Sequence, residues 1–424
     1  MSRIMQRFAH LHIAILLCAA LVGCEAKAVN YQINHEYGVA DPQFARTMGH
    51  LLGPPLVQGN HVTTLINGDQ IFPAMLSAIA SAQKTINFET YVYWSGDIGK
   101  QFSDALAERA RAGVKAHVII DWVGSGRIDR RYIRKMTDAG ARVVEYNPLR
   151  FYDVTSASRL NNRTHRKLLV IDGVIGFTGG AGIADEWKGD ADSPEHWRDT
   201  HYQIRGPVVE QMQAAFMDNW MKTTGQVLHS ADYFVASESA GDDAAQLFMS
   251  SSTGGSMSMQ LMYLLSIAAA EKSVLLGSAY FVPDDLTIKT IVAARKRGVR
   301  VVVLLPGRQI DVKTVRHASR ARWGAMLTAG VEIYEYRPTM YHCKVMIVDD
   351  RWVAIGSSNL DNRSFRLNDE ANLNVLSERF AAEQTLMFEQ DLAKSRQITL
   401  QMWRNRPLGE RMIEAFASLL GPLL

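Results

Sequence analysis

Two histidine–lysine pairs in the sequence have the residue types needed to act on a phosphate ester. Both belong to a His-x-Lys-x4-Asp pattern, with His165, Lys167 and Asp172 in the first copy and His342, Lys344 and Asp349 in the second. Four apolar residues separate the lysine from the aspartate in each copy, which predicts a strand. Because side chains two residues apart on a strand point to the same face, each copy offers an imidazole beside an ammonium group.

This combination suits displacement at phosphorus in two steps. A phosphodiester resists direct attack by water, because its own negative charge repels nucleophiles. One imidazole can attack as a nucleophile, while the other, protonated, gives the leaving alkoxide its proton and then activates the acceptor hydroxyl. The two lysines would stabilise charge on the equatorial oxygens, so the chemistry requires no metal or other cofactor. Asp172 and Asp349 are included in the candidate catalytic set, although their place at strand ends also suits a role in anchoring loops.

A glycine-rich turn follows each motif, at residues 179–182 and 356–359. Glycine allows backbone N–H groups to approach an oxyanion, so Gly180 and Ser357 are candidate supporting residues. One His-x-Lys on a strand is usually ordinary polar alternation, but two copies followed by the same kind of turn favour catalysis. The turns are unequal, because Asn359 in the second corresponds to Gly182 in the first. Asn359 is therefore a further supporting candidate, and we expect oxyanion binding to be asymmetric.

The elements that carry these motifs are duplicated along the chain. Three segments recur in the same order, residues 81–86, 112–120 and 139–148 matching residues 269–274, 297–305 and 329–338. Each unit has a helical stretch, an apolar strand, a second amphipathic helix that ends at a glycine, and a β-branched strand. This alternation predicts an α/β sandwich with a largely parallel or mixed sheet. Two such halves, related by a pseudo-twofold axis, would each direct one histidine into a single composite active site.

The sequence divides into six regions. The predicted boundaries are a signal peptide at 1–23, an N-terminal segment at 24–55, the first half at 56–228, a polar linker at 229–246, the second half at 247–400 and an amphipathic tail at 401–424. Apolar residues of the tail recur at helical spacing. This pattern suits either a helix on a bilayer surface or a helix packed on the core.

The N-terminus has the pattern of a bacterial export signal. Arg3 and Arg7 precede an apolar run of about 13 residues, which is short for a membrane span. The run ends in Leu21-Val22-Gly23-Cys24, which is typical of a lipobox and predicts lipidation of Cys24. We therefore expect a membrane-anchored lipoprotein of the bacterial cell envelope that faces the periplasm, with the choice of membrane left open. An uncleaved signal anchor with an incidental cysteine is the alternative.

Composition limits the classes of partner. The chain has 424 residues, with 47% hydrophobic and 21% charged side chains, as in ordinary globular proteins. Its net charge is +3, of which Arg3 and Arg7 supply two units, so no basic field indicates a nucleic-acid partner. Cys343 is the single cysteine beyond residue 24, which leaves no intrachain disulfide after removal of the signal.

The paired motifs resemble those of the phospholipase D superfamily, and the phrases around them resemble its bacterial cardiolipin synthase branch. These phrases are residues 197–201, 279–285 and 356–365, and the similarity extends from about Leu56 to the C-terminus. The resemblance implies a duplicated phospholipase D-like fold, a phosphohistidine intermediate, no metal and transfer of a phosphatidyl group. It also implies that His165 is the nucleophile and His342 the general acid and base. In that family a carboxylate after each motif orients the histidine, and Asp199 and Glu370 occupy the matching places.

The preferred hypothesis is a cardiolipin synthase-like phosphatidyl transferase that acts on phospholipids, with phosphatidylglycerol as the expected donor. A phospholipase D that releases phosphatidic acid would use the same chemistry with water as acceptor, and the sequence does not decide between the acceptors. A nuclease or other phosphodiesterase of the superfamily is disfavoured by the near-neutral charge and the export signal. A non-catalytic lipid-binding protein is disfavoured because both His–Lys pairs are present. The expected partners are a phospholipid substrate and a membrane surface, and the oligomeric state stays open.

Overall fold

A mixed β-sheet organises the part of the chain that the computed structural model describes, which is residues 31–149, 161–251 and 258–421. Residues 35–424 form one unit, which contains the helices and strands of the described residues. Of residues 1–34, which form a separate unit, only 31–34 are described, and they have no regular structure. The predicted signal peptide and Cys24 therefore lie outside the described residues.

The strands and helices of the described residues are numbered here in chain order. The strands are β1 (Val57–Ile66), β2 (Thr85–Thr90), β3 (Lys115–Asp121), β4 (Arg142–Tyr146), β5 (Leu168–Ile171), β6 (Ile175–Gly179), β7 (Thr200–Arg205), β8 (Asp243–Ser250), β9 (Ser273–Gly277), β10 (Arg300–Pro306), β11 (Glu332–Tyr336), β12 (Val345–Val348), β13 (Trp352–Gly356), β14 (Glu370–Leu376) and β15 (Ser395–Ile398). The helices are α1 (Pro42–Thr47), α2 (Asn67–Ser81), α3 (Asp97–Arg111), α4 (Arg130–Asp138), α5 (Val208–Thr224), α6 (Ser258–Ala268), α7 (Asp285–Lys296), α8 (Lys313–Ala321), α9 (Gly324–Thr328), α10 (Glu378–Ala393), α11 (Leu400–Arg404) and α12 (Leu408–Ser418).

The order of the strands shows the duplication directly. From edge to edge it is β15-β11-β10-β9-β12-β13-β14-β8-β1-β7-β6-β5-β2-β3-β4. Counted outward from the centre, β1, β7, β6, β5, β2, β3 and β4 of the first half match β8, β14, β13, β12, β9, β10 and β11 of the second, and β15 extends one edge. The two central strands pair antiparallel, as a twofold axis between equivalent strands requires. The predicted duplicated α/β fold is therefore confirmed.

Parallel strands form the outer part of each half. β2, β3 and β4 run parallel to one another, and so do β9, β10 and β11. Every residue of β2 is buried, as is every residue of β10 after Arg300, because a parallel sheet is covered on both faces. Gly113 and Gly298 follow the helices α3 and α7 with φ of +91° and +97°, in the left-handed region that favours glycine at a helix end.

A shared apolar cluster joins the two halves across β1 and β8. Buried residues of both halves contribute to it, among them Val62, Ile204, Leu247 and Leu373. Asn60 lies buried where the pairing of β1 with β8 shifts register. Its Nδ2 donates to the carbonyls of Val57 and Asp243, and its Oδ1 accepts the N–H of Val208. The two halves therefore share a core, and the linker is not their sole connection.

The structure differs from the predicted division of the chain in two places. Residues 243–246 were expected in the linker, but they belong to β8. Their polar members Asp243 and Gln246 are buried between the halves, which composition alone did not indicate. The described part of the N-terminal segment is also not separate from the halves, since α1 packs on the second half with the Phe44 ring 5.0 Å from that of Trp352.

The tail forms the helices α11 and α12. Six large apolar side chains between Leu408 and Leu420 are exposed to solvent. None of the helices in the described ranges is long and apolar enough to cross a membrane.

Candidate active site

Two short bridges between the halves bring the motif histidines to their carboxylates. Thr164, before the first histidine, bridges Asp369, and Tyr341, before the second, bridges Arg198. The N–H of His165 donates to the carbonyl of Asp369 at 2.8 Å, and the N–H of His342 donates to the carbonyl of Arg198 at 2.7 Å. Each histidine is therefore fixed by backbone that immediately precedes a carboxylate of the opposite half.

The histidine–carboxylate pairs are consequently crossed between the halves. His165 Nδ1 lies 3.0 Å from Glu370 Oε2, and His342 Nδ1 lies 2.6 Å from Asp199 Oδ2. The resemblance assigned one carboxylate to each motif by its place in the sequence, but the carboxylate that follows a motif holds the histidine of the other motif. The sequence carries no signal for this exchange, because it depends on how the two halves dock.

The two motif lysines are buried beside the histidines. Lys167 Nζ donates to the carbonyl of His165 at 2.8 Å. Lys344 Nζ donates to the carbonyl of His342 at 2.6 Å and lies 3.0 Å and 3.1 Å from the ring nitrogens Nδ1 and Nε2. Burial, reinforced by the charge of Lys344, lowers the pKa of Lys167 to about 7. The structure thus brings His165, Lys167, His342 and Lys344 into one composite site.

Burial sets the protonation of the two imidazoles. It lowers the pKa of His165 to about 4, against the opposing charge of Glu370. Burial and then Lys344 lower the pKa of His342, while Asp199 opposes them. Burial by itself would raise the pKa values of the two carboxyls, but their histidine partners hold both below the ordinary range. At neutral pH the resting site therefore contains neutral imidazoles whose Nδ1–H groups are directed at ionised carboxylates.

Asp172 and Asp349 lie at the far end of the motif strands. Each sits seven residues beyond its histidine, roughly 20 Å away at about 3.3 Å per residue of extended chain. The carboxylate of Asp172 accepts the N–H groups of residues 83–85 at 2.7–2.8 Å. That of Asp349 accepts the N–H groups of residues 271–273 at 2.8 Å. The structure does not bring these aspartates to the imidazoles, and of the two roles considered for them their contacts support loop anchoring rather than catalysis.

Two of the three supporting residues of the turns lie against the carboxylates. The N–H groups of Gly180 and Ser357 donate to backbone carbonyls, so neither is available to a phosphate as the sequence suggested. Ser357 Oγ instead donates to Glu370 Oε2 at 2.5 Å. At Gly180 a Cβ atom would lie 2.1 Å from Asp199 Oδ1, so glycine makes room for the carboxylate. Asn359 Oδ1 accepts the N–H of Tyr280 at 3.3 Å, and its Nδ2 has no acceptor within the described residues and can donate to a phosphate oxygen.

A tryptophan that the sequence did not single out explains the inequality of the two turns. A Cβ atom at Gly182 would lie 2.8 Å from the Cβ of Val92 and 3.1 Å from the ring of Trp187. The indole of Trp187 fills this space, and its Nε1 donates to Asp199 Oδ2 at 2.7 Å. That oxygen is the one that holds His342. The first half therefore has an indole donor behind its carboxylate, where the second half has an amide at the turn.

The aromatic surroundings also distinguish the two histidines. The rings of Trp187 and Trp197 lie 5.3 Å and 5.2 Å from the ring of His342. His165 instead has Tyr91 at 5.1 Å, edge to face. The position of Trp197 two residues before Asp199 was the one sequence signal for this enclosure.

Buried arginines fix the segments that carry the bridges. Arg163 Nε donates to Asp121 Oδ2 at 2.9 Å, and Arg198 Nε donates to Asp391 Oδ1 at 2.9 Å. Each arginine lies within two residues of a bridged position, so its ion pair restrains the histidine that the bridge supports.

Comparison with known proteins identifies the family. A family described as "Cardiolipin synthase, PLD-like domain" matches residues 75–190 and 263–392, which together make up more than half of the chain and contain both motifs. The chain belongs to this family. It is 35% identical over 381 residues to a protein named cardiolipin synthase from Alkalihalophilus pseudofirmus, with 89% of this chain and 75% of that protein covered. It is 34% identical to cardiolipin synthase 2 from Bacillus anthracis, with 85% of this chain and 70% of that protein covered.

A solved structure has the same fold as this chain. Phosphatidylserine synthase from Haemophilus influenzae superposes with a TM-score of 0.66, covering 90% of this chain and 99% of that one. The sequences are 13% identical, so the comparison supports the duplicated architecture alone.

The crossed pairing predicts a directional change in pH dependence when Asp199 is replaced by asparagine. Loss of the carboxylate removes the charge that opposes the lowering of the His342 pKa, so this pKa falls further. We expect kcat for phosphatidyl transfer to fall by about 10²- to 10⁴-fold, and the alkaline limb of its pH profile to move down by about one unit or more. Asp192→Asn, an exposed site in the same loop, is the control. An unmoved alkaline limb in Asp199→Asn would contradict the pairing.

The filled space beside Gly182 predicts that restoring the symmetry of the turns damages the site. In Gly182→Asn the new side chain displaces Val92 or Trp187, so Asp199 loses its indole donor. We expect activity to fall about tenfold or more and unfolding free energy to fall by about 1–3 kcal/mol. Rates and denaturant unfolding would be compared with Gly225→Asn, where φ is +70° and the space around the Cβ is open. Higher activity in Gly182→Asn would refute this account of Trp187.

Proposed function

We propose that the protein is a phosphatidyl transferase that joins two phosphatidylglycerol molecules into cardiolipin and releases glycerol. The observation that carries the proposal is the pair of crossed histidine–carboxylate contacts with a buried lysine beside each histidine. The names of the relatives, cardiolipin synthases that align over most of this chain, support the choice of lipid.

In the first step Nε2 of His165 attacks the phosphorus of the donor lipid. Its low pKa leaves this nitrogen unprotonated at neutral pH, while Glu370 holds Nδ1–H and stabilises the positive ring that forms. The P–O bond to the headgroup breaks, and protonated His342 gives its proton to the departing glycerol oxygen. Glycerol leaves, and the phosphatidyl group stays on His165 as a phosphohistidine.

In the second step the headgroup hydroxyl of another phosphatidylglycerol attacks the phosphohistidine. His342, now neutral, removes the hydroxyl proton, and the P–N bond to His165 breaks to release cardiolipin. The ammonium groups of Lys167 and Lys344 stabilise the equatorial oxygens in both steps, and the bound phosphate anion in turn raises the pKa values of His342 and Lys167 from their resting positions.

Hydrolysis to phosphatidic acid is the competing outcome, since water can take the place of the acceptor hydroxyl. Burial disfavours it, because the side chains of His165 and His342 are only 12% and 8% exposed before any lipid is bound. An acyl-bearing substrate would reduce that exposure further and limit entry of water.

Product analysis tests the proposal. Wild type in phosphatidylglycerol vesicles is expected to form cardiolipin and glycerol in equal amounts by mass spectrometry, and His165→Ala is expected to lose about 10³-fold or more of this rate. The exposed His229→Ala is the control. With phosphatidyl-p-nitrophenol, whose leaving group needs no proton, His342→Ala should retain a phosphatidyl group on the peptide containing His165. Phosphatidic acid as the main wild-type product would overturn the choice of acceptor. Absence of label in His342→Ala, together with label on His342 in His165→Ala, would overturn the assignment of His165 as the nucleophile.

We propose further that the protein is a lipoprotein of the bacterial cell envelope, anchored through Cys24 and facing the periplasm. The support is the basic and apolar N-terminal run that ends at this cysteine. Cells fed labelled palmitate should incorporate it into wild type but not into Cys24→Ala. Equal labelling of both proteins, or an intact Met1–Cys24 peptide in the mature chain, would exclude this anchor.

A further inference from the structure

The C-terminal helix α12 is packed against the protein by its polar side. The residues that it buries are Glu414 and Ala417. The large apolar residues of the helix and of the turn that follows it face solvent, with exposed fractions of 73% at Leu408, 62% at Met412, 53% at Ile413, 69% at Phe416, 74% at Leu419 and 40% at Leu420. Spacings of three, four and seven residues place them on one face. This is the reverse of a helix that packs on a core.

Ion pairs hold the helix in this orientation. Glu414, with its side chain 2% exposed, accepts from Arg320 Nε at 2.9 Å and from Arg406 Nε at 2.8 Å. Glu410 adds a contact of 3.3 Å to Arg320 Nη2. Rotating the apolar face inward would leave these charges unpaired, which is costly for a buried carboxylate. The apolar face is therefore held outward by the fold.

The helix packs close to the active site through its buried side. Ala417 belongs to a buried cluster with Val282 and Met340, against which the half-buried Trp197 packs. The ring of Trp197 is also 5.2 Å from that of His342. Just beyond the end of the helix, the carbonyl of Gly421 accepts a hydrogen bond from Asn362 Nδ2 at 3.1 Å. Asn362 lies three residues after Asn359 in the chain. The helix is thus tied to the same loop that carries a candidate phosphate donor.

We propose that α12 lies in the plane of a lipid bilayer with this apolar face inserted, and so holds the active site close to the lipid surface. The inference rests on the proposed function, since a phospholipid donor must reach His165 from a bilayer. Arg411 on this helix and Arg404 on α11 are exposed, and their positive charges suit anionic headgroups. Most other exposed large apolar side chains of the described residues are scattered, as Leu386 on α10 is, whereas these six share one helix face.

Depth measurements test the placement of the helix without reference to activity. An environment-sensitive NBD dye would be attached to Phe416→Cys or to Leu386→Cys in full-length chains. Cys18→Ser and Cys24→Ser remove the other cysteines that could react with the dye, and Cys343 can stay because it is buried. Leu386 is a matched control, being 62% exposed on another helix. With vesicles of phosphatidylglycerol and phosphatidylcholine, we expect at least a roughly twofold gain in fluorescence at 416, quenched by doxyl-labelled lipid, and no change at 386.

Three outcomes of this measurement would overturn the proposal. A dye at 416 that stays in water while the chain is bound to vesicles would show that the helix does not insert. A dye already shielded without lipid would show another occupant. That occupant would be a second copy of the chain if shielding depends on protein concentration, and a segment of the same chain if it does not.

Rates on two physical forms of the substrate separate docking from catalysis. Ile413→Ser combined with Phe416→Ser should reduce the rate on vesicles about tenfold but leave the rate on monomeric dihexanoyl-phosphatidylglycerol unchanged, and Leu386→Ser should alter neither. Equal loss on both forms would assign the helix a structural role and contradict the proposal. If wild type formed no cardiolipin from either form, the proposed function would fail, and the dye at 416 would still decide whether the helix inserts.

Discussion

The exchange of carboxylates between the two halves is the constraint on which the rest of the structure depends. His165 needs Glu370 and His342 needs Asp199, and each partner lies on the opposite half. The bridges at Thr164 and Tyr341 therefore have to form in register, and the central pairing of β1 with β8 supplies the frame that aligns them. Burial of Asn60 and of the shared apolar cluster at that seam serves the site as well as stability. Either half folded alone would leave its own histidine without a carboxylate partner.

Burial then gives the site its chemical character. Two imidazoles, two lysine side chains and two carboxylates are removed from water, and burial lowers the pKa values of His165 and Lys167 to about 4 and about 7. The resting site thus holds an unprotonated imidazole at His165, and the negative charge of a bound phosphodiester would raise the pKa values of the nearby histidines and lysines. The charge of the substrate would in this way help to set the protonation states of the site. Trp187 and Ser357 tune the two carboxylates from behind with different donors.

Much of this architecture was predictable from the sequence, and the reasons for the failures are specific. The duplication, the α/β class and the four His and Lys side chains follow from local pattern, since strand periodicity and repeats are encoded within short segments. The exchange of Asp199 and Glu370 was not predictable, because it depends on contacts between residues well over a hundred positions apart. Asp172 and Asp349 shared the motif but point to backbone N–H groups at the other strand end. Trp187 was missed because its indole acts through Asp199, and the space that it fills appeared in the sequence only as the glycine at 182.

The difference between Trp187 and Ser357 has a consequence for how such a site can specialise. A symmetric dimer built from one half would be obliged to place the same carboxylate and the same donor behind both imidazoles. Covalent duplication removes that obligation, so a substitution can alter one imidazole without altering its counterpart. Gly182 and the indole beside it are such a difference between the two halves, whose strand order still follows the twofold axis. The two histidines thus differ through their neighbours, although the side chains themselves are identical.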